Sequence, residues 1–127
     1  MTREEVDRFE KVQAQIEGLY SEISALSKKS QNDALNKFKL KFVNQVLGKA
    51  NNVLGKSYMP FEDFTIFDEN DIPTNSDCAM MLTQYLSCFE KLRADNVQLN
   101  GFTSWYWIIN GKESNIKTVM PKKIKEK

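Results

Sequence analysis

Any chemistry in this sequence would run on carboxylates, lysines, tyrosines or a lone cysteine, because the chain contains no histidine. That absence removes Ser-His-Asp and Cys-His nucleophile systems, imidazole acid–base work and His-ligated zinc. Two cysteines, Cys78 and Cys88, are too few for a four-thiolate zinc site in one chain. Cys78 falls in the first turn of a predicted helix, where the helix dipole would lower a thiol pKa. A nucleophile also needs a base and oxyanion donors, and the sequence shows neither. Glu62 with Asp68, and Asp71 with Asp77, are the candidate carboxylate pairs. Nothing in their spacing selects a reaction. The run Asp68-Glu69-Asn70-Asp71 is superficially like a calcium loop, but the register fails: the fifth position is Ile72 and the sixth, where such a loop needs glycine, is Pro73. We therefore expect no catalytic residue, no metal and no cofactor.

Binding chemistry has better candidates. Trp105, Tyr106, Trp107 and Ile108 stand together inside the segment GFTSWYWIING, residues 101–111. Read as a strand, the segment turns Trp105, Trp107 and Ile109 to one face and Ser104, Tyr106 and Ile108 to the other. At least one aromatic must then stay at the surface, where Trp and Tyr are enriched in contacts with partners. These four residues are the candidate protein interface. A second set, Lys37, Lys41, Lys112, Lys117, Lys122 and Lys123, could form a phosphate-binding footprint, with the aromatics stacking on bases. The scarcity of arginine, only Arg3, Arg8 and Arg93, weighs against that use.

Charge is unevenly distributed along the chain. Lys28 to Lys56 holds seven lysines and one acid; Ser57 to Cys78 holds six acids and no base; Lys112 to the end holds six lysines and two glutamates. The simplest account is attraction of the acidic segment to the basic helix or the tail as a screened surface network.

Helices must position these groups. Thr2 and Glu5 form a capping box. Behind it Phe9, Val12, Ile16, Leu19, Ile23 and Leu26 recur at alternating spacings of three and four, which predicts a helix over residues 3–28 with a heptad seam. A second helix is predicted over 33–54, ending at Gly55. Its broad apolar arc, with Lys37, Lys41, Asn44 and Asn51 opposite, places it near the centre, in an antiparallel hairpin with the first. Pro60 and Pro73 break the acidic, Phe-rich connection, in which residues 61–67 have room for one helical turn. A third helix follows over 76–96. Asn100-Gly101 and Asn110-Gly111 are turn dipeptides, and the aromatic, β-branched run between them favours a strand. It forms either a hairpin with residues 112–119 or a short fourth helix capped by Asn110-Gly111.

The expected fold is thus mainly α: a three-helix antiparallel bundle with a long N-terminal helical hairpin and a small C-terminal β-hairpin or short fourth helix. One domain is expected over 1–121, with a basic, disordered tail over 122–127. At 127 residues, 28% charged and net charge +1, the chain has globular composition and no global field for nucleic acid. The charged N-terminus resembles no signal peptide. Cys78 and Cys88, about 15 Å apart along one helix, cannot pair with each other, so reduced thiols and a cytoplasmic setting are expected. The excess of lysine over arginine and the frequent asparagine hint at an AT-rich microbial or viral genome. The function expected is a non-enzymatic interaction or assembly module, accessory or inhibitory, that binds another protein or itself. A nucleic-acid accessory protein is the alternative.

Overall fold

The structure is a computed structural model and describes residues 1–122. Helix α1 spans Arg3–Ser30. Its capping box forms as expected: the Glu5 N–H donates to Thr2 Oγ1 at 3.1 Å, and the Thr2 N–H donates to Glu5 Oε1 at 2.9 Å. Most of the predicted seam is buried, with Val6 added at its start. Gln13 is buried as well, although polar, and its role emerges below.

Helix α2 spans Lys37–Tyr58, four residues later at its start than expected. Asp33 does not cap it; Asn36 does, accepting from the N–H groups of Phe38 and Lys39. The reason lies in the preceding residues, which are committed elsewhere. Ala34 bridges Thr74, and the Leu35 N–H donates to the Pro73 carbonyl at 2.9 Å. Gly55 interrupts the helix with φ 64°, the left-handed region expected of a terminating glycine, and one further turn follows it. Helix α3 spans Asn75–Asp95 and is capped by Thr74, whose hydroxyl accepts from the Asp77 N–H.

Helix α1 packs most extensively on α3, not on α2. This corrects the expectation that the second helix is the central one; α1 packs against both α3 and α2. The broad arc of α2 lies in the shared core, and its polar side meets the acidic connection. Asn44, expected to face solvent, exchanges two hydrogen bonds with the Phe67 backbone, each 3.0 Å. Asn51 donates to the Thr65 carbonyl at 2.9 Å and accepts from the Tyr85 hydroxyl at 2.6 Å. Phe64 then packs against Phe67 and Tyr85. Residues 61–67 form turns and bends, not a helical turn; side chains of α2, rather than an internal ladder, satisfy part of their backbone. Asp68 serves turn chemistry: its carboxylate accepts from the Asn70 N–H and its carbonyl from the Asp71 N–H.

The C-terminal element is a three-stranded antiparallel sheet of order β1-β2-β3, with β1 at Val97–Asn100, β2 at Ser104–Ile109 and β3 at Lys112–Thr118. The hairpin alternative is therefore realised and the fourth helix is not. Asn110 and Gly111 both have positive φ, 53° and 80°, as a tight primed turn requires. Strand β1 was not expected. It is four residues long and buries only Val97, so it carries almost no periodic signal. Helices and sheet share one core, whose largest sealed side chains are Trp107, Tyr85, Phe9 and Phe89. Pro121 is buried, and the Lys122 N–H donates to Glu90 Oε1 at 3.0 Å, so the chain is engaged one residue beyond the expected boundary. The rest of the expected tail lies outside the described residues. No helix among the described residues is long and apolar enough to cross a membrane.

Candidate interaction surface

The sheet has two faces and an apolar end, and they do different things. The alternation expected of the aromatic segment holds: Trp107 is sealed in the core, and Trp105, Ile109 and Ile116 pack against it half-buried. Trp107 therefore cannot meet a partner and leaves the candidate interface. Its ring sits edge-on to Phe9, centroids 5.1 Å apart, and its Nε1–H donates to Glu10 Oε1 at 3.0 Å. Tyr106 and Ile108 lie half-buried on the outer face, where Lys117 and Glu113 are their cross-strand partners.

Arg93 anchors the inner face to the helices. Its guanidinium is buried against the rings of both Phe9 and Trp107, at 5.1 and 5.2 Å from their centroids. Its Nε donates to Glu90 Oε2 at 3.1 Å, and the two terminal nitrogens donate to Gln13 Oε1 and Thr118 Oγ1. Gln13 Nε2 returns a bond to Glu90 Oε2 at 2.8 Å. One buried cation thus ties α1, α3 and β3 together, while Trp107 of β2 covers it. Burial works to raise the Glu90 carboxyl, but the bonds from Gln13, the Lys122 N–H and Arg93 outweigh it and hold the group below its ordinary value. A carboxyl depressed in the folded state contributes stability above its unfolded pKa and loses it as pH falls through the folded one. The melting temperature should therefore fall as pH drops below the ordinary carboxylate value of 4.5. The fall should be shallower in Glu90→Gln; equal slopes in both proteins would show that Glu90 is not the acid-sensitive group.

The apolar end of the sheet follows from register. Asn100 pairs with Ser104, and Trp105 with Thr118, so the end of β1, the start of β2 and the end of β3 lie at one edge of the molecule. Leu99 is the cross-strand partner of Trp105 and is 42% exposed. Phe102, in the turn between β1 and β2, is 100% exposed; Val119 and Met120, just past β3, are 66% and 61% exposed. Four exposed apolar side chains thus lie at the end of the sheet that carries half-buried Trp105. Two signals in the sequence could have located them. Asn96 to Gly111 contains no charged residue in a chain that is 28% charged, and Phe102 is a large apolar residue in a turn that ordinarily favours polar ones.

The candidate phosphate-binding lysines do not converge. Lys37 and Lys41 line a cleft with Glu69 and Asn70; Lys117 lines another with Asp7 and Glu10; Lys122 borders a third with Glu17 and Glu90. Each group sits beside carboxylates, which cancel much of its field. Lys112 is exposed at the β2–β3 turn, and Lys123 lies outside the described residues. Cys78 is sealed in the core, and burial pushes its thiol up to about 12, opposite to the expected effect of the helix dipole. It stays protonated and inert. A scan against protein-family models, a search of curated proteins and a search of solved structures each return no match for this chain.

Proposed function

We propose that this protein is a non-enzymatic protein–protein interaction or assembly module whose contact surface is the apolar end of the sheet: Leu99, Phe102, Trp105, Val119 and Met120, with Tyr106 and Ile108 on the adjoining outer face. The observation that carries this reading is that the register places four exposed apolar side chains at the same end of the sheet as a half-buried tryptophan. Single apolar residues on a surface need no explanation, but several at one end of a small sheet favour a place of association. The helices, taken as an antiparallel bundle, form the platform, and the Arg93 network fixes the sheet on it. The dispersed lysines favour this reading over nucleic-acid binding. The Glu90 carboxyl, held low by three donors, is poorly matched to acid catalysis, which needs a raised pKa.

The test is a photo-crosslinking residue placed at position 102 and, as a control, at exposed Gln45 on α2. In cells making the protein, position 102 should give discrete protein adducts and position 45 none. Adducts to nucleic acid, or none at either position, would overturn the proposal. Phe102→Ser should remove association while leaving the melting temperature within experimental error, because the ring buries nothing in the fold.

A further inference from the structure

The partner can be named more closely, on the strength of the contact surface just proposed, from the two edges of the sheet. An open edge strand offers unpaired backbone groups, and proteins blunt such edges with lysines and bulges. Strand β3 carries both: Lys112 and Lys117, and an irregularity opposite Trp107 where Ser114 Oγ donates to the Trp107 carbonyl and accepts from the Ile116 N–H. Strand β1, Val-Gln-Leu-Asn, carries neither. The Ile108 N–H donates to the Asn96 carbonyl, and the alternation of an antiparallel ladder then turns the N–H and C=O of Val97 and Leu99 to the open side.

We propose that this edge pairs with β1 of a second copy of the chain, antiparallel, about a two-fold axis through Leu99. A two-fold axis sets each residue near its own counterpart, so a charged strand would repel itself. Strand β1 and both segments flanking it, from Asn96 to Gly111, are uncharged. An axis at Leu99 makes the two Leu99 residues a hydrogen-bonded pair and sets Gln98 opposite Asn100. Both of these polar side chains belong to the outer face, so the faces match. It also sets the two exposed Leu99 side chains against each other and places each Phe102 at the level of the other copy's Asn96. The strand is short, so these side chains supply most of the buried area and the backbone supplies register.

Sedimentation velocity of the full chain from low micromolar to near-millimolar concentration is expected to show a monomer–dimer equilibrium. Leu99→Lys should leave only monomer with an unchanged circular dichroism spectrum. Register is tested by cysteine substitution. Paired Cα atoms about 5.5 Å apart lie within disulfide reach, so Leu99→Cys should form a disulfide-linked dimer under mild oxidation, and Gln98→Cys, set opposite Asn100, should not. A monomer at every concentration, or a dimer that survives Leu99→Lys, or equal crosslinking by both cysteine variants, would overturn self-pairing through β1. A monomer whose position 102 still yields adducts to a different protein would remove this inference and leave the proposed contact surface standing.

Discussion

Arg93→Ala is expected to destabilise the fold by about 3–5 kcal/mol, the usual cost of breaking a buried ion pair by deleting one partner. A single domain has about 5–15 kcal/mol in total, so the loss removes a large share of the stability and should lower the melting temperature markedly. The loss has separable parts. Glu90, itself buried, keeps its charge and loses its cation; Gln13 and Thr118 lose a donor; Phe9 and Trp107 lose the cation that lies against both rings. Replacing both ends of the pair, as in Glu90→Leu with R93M, removes the stranded charge and should recover much of the deficit, since apolar replacements of a buried pair are often neutral. Urea denaturation of the two variants measures this directly. A loss below about 1 kcal/mol for Arg93→Ala, the range of exposed pairs, would mean that the guanidinium is solvated and does not anchor the sheet.

This network was legible in part. On α3, Arg93 stands one helical turn beyond Phe89 and in line with Leu82, and on α1, Gln13 stands one turn beyond Phe9. Polar residues on apolar stripes are a visible anomaly. What periodicity cannot show is that the two anomalies face each other, because that depends on how α1 packs against α3. The same tertiary choice hid the role of Asn44 and Asn51. Their place on the polar side of α2 is correct; the chain that covers them is an irregular connection with no period to read. The capping box, Gly55 and the Asn110-Gly111 turn were readable because local backbone geometry sets them. Strand β1 was not, because a four-residue edge strand is stabilised by its neighbour and not by its own pattern.

The segment from Asn96 to Gly111 carries two requirements at once. Its inner residues close the core over Arg93, and its end leaves Leu99, Phe102 and Trp105 at the surface. Charge would be costly on both sides: inside it would be unpaired, and at the sheet end it would impede the apolar contact proposed above.

Trp107→Ala separates the two requirements, and its expected effect is on stability alone. Truncating a sealed aromatic costs about 3–5 kcal/mol, and here the indole also donates to Glu10 and covers one face of the Arg93 guanidinium. Trp107→Phe retains a ring against Phe9 but not the indole N–H, so its melting temperature should fall between those of Trp107→Ala and the parent. Trp105→Ala, at a half-buried site, should cost less stability than Trp107→Ala and more association, since its ring adjoins Leu99. Thermal melts and sedimentation of the three variants read both quantities on the same samples. If Trp107→Ala melts like the parent yet fails to associate, the strand has its faces reversed: Trp107 would be the contact residue, and the core would be closed from the side that carries Tyr106 and Ile108.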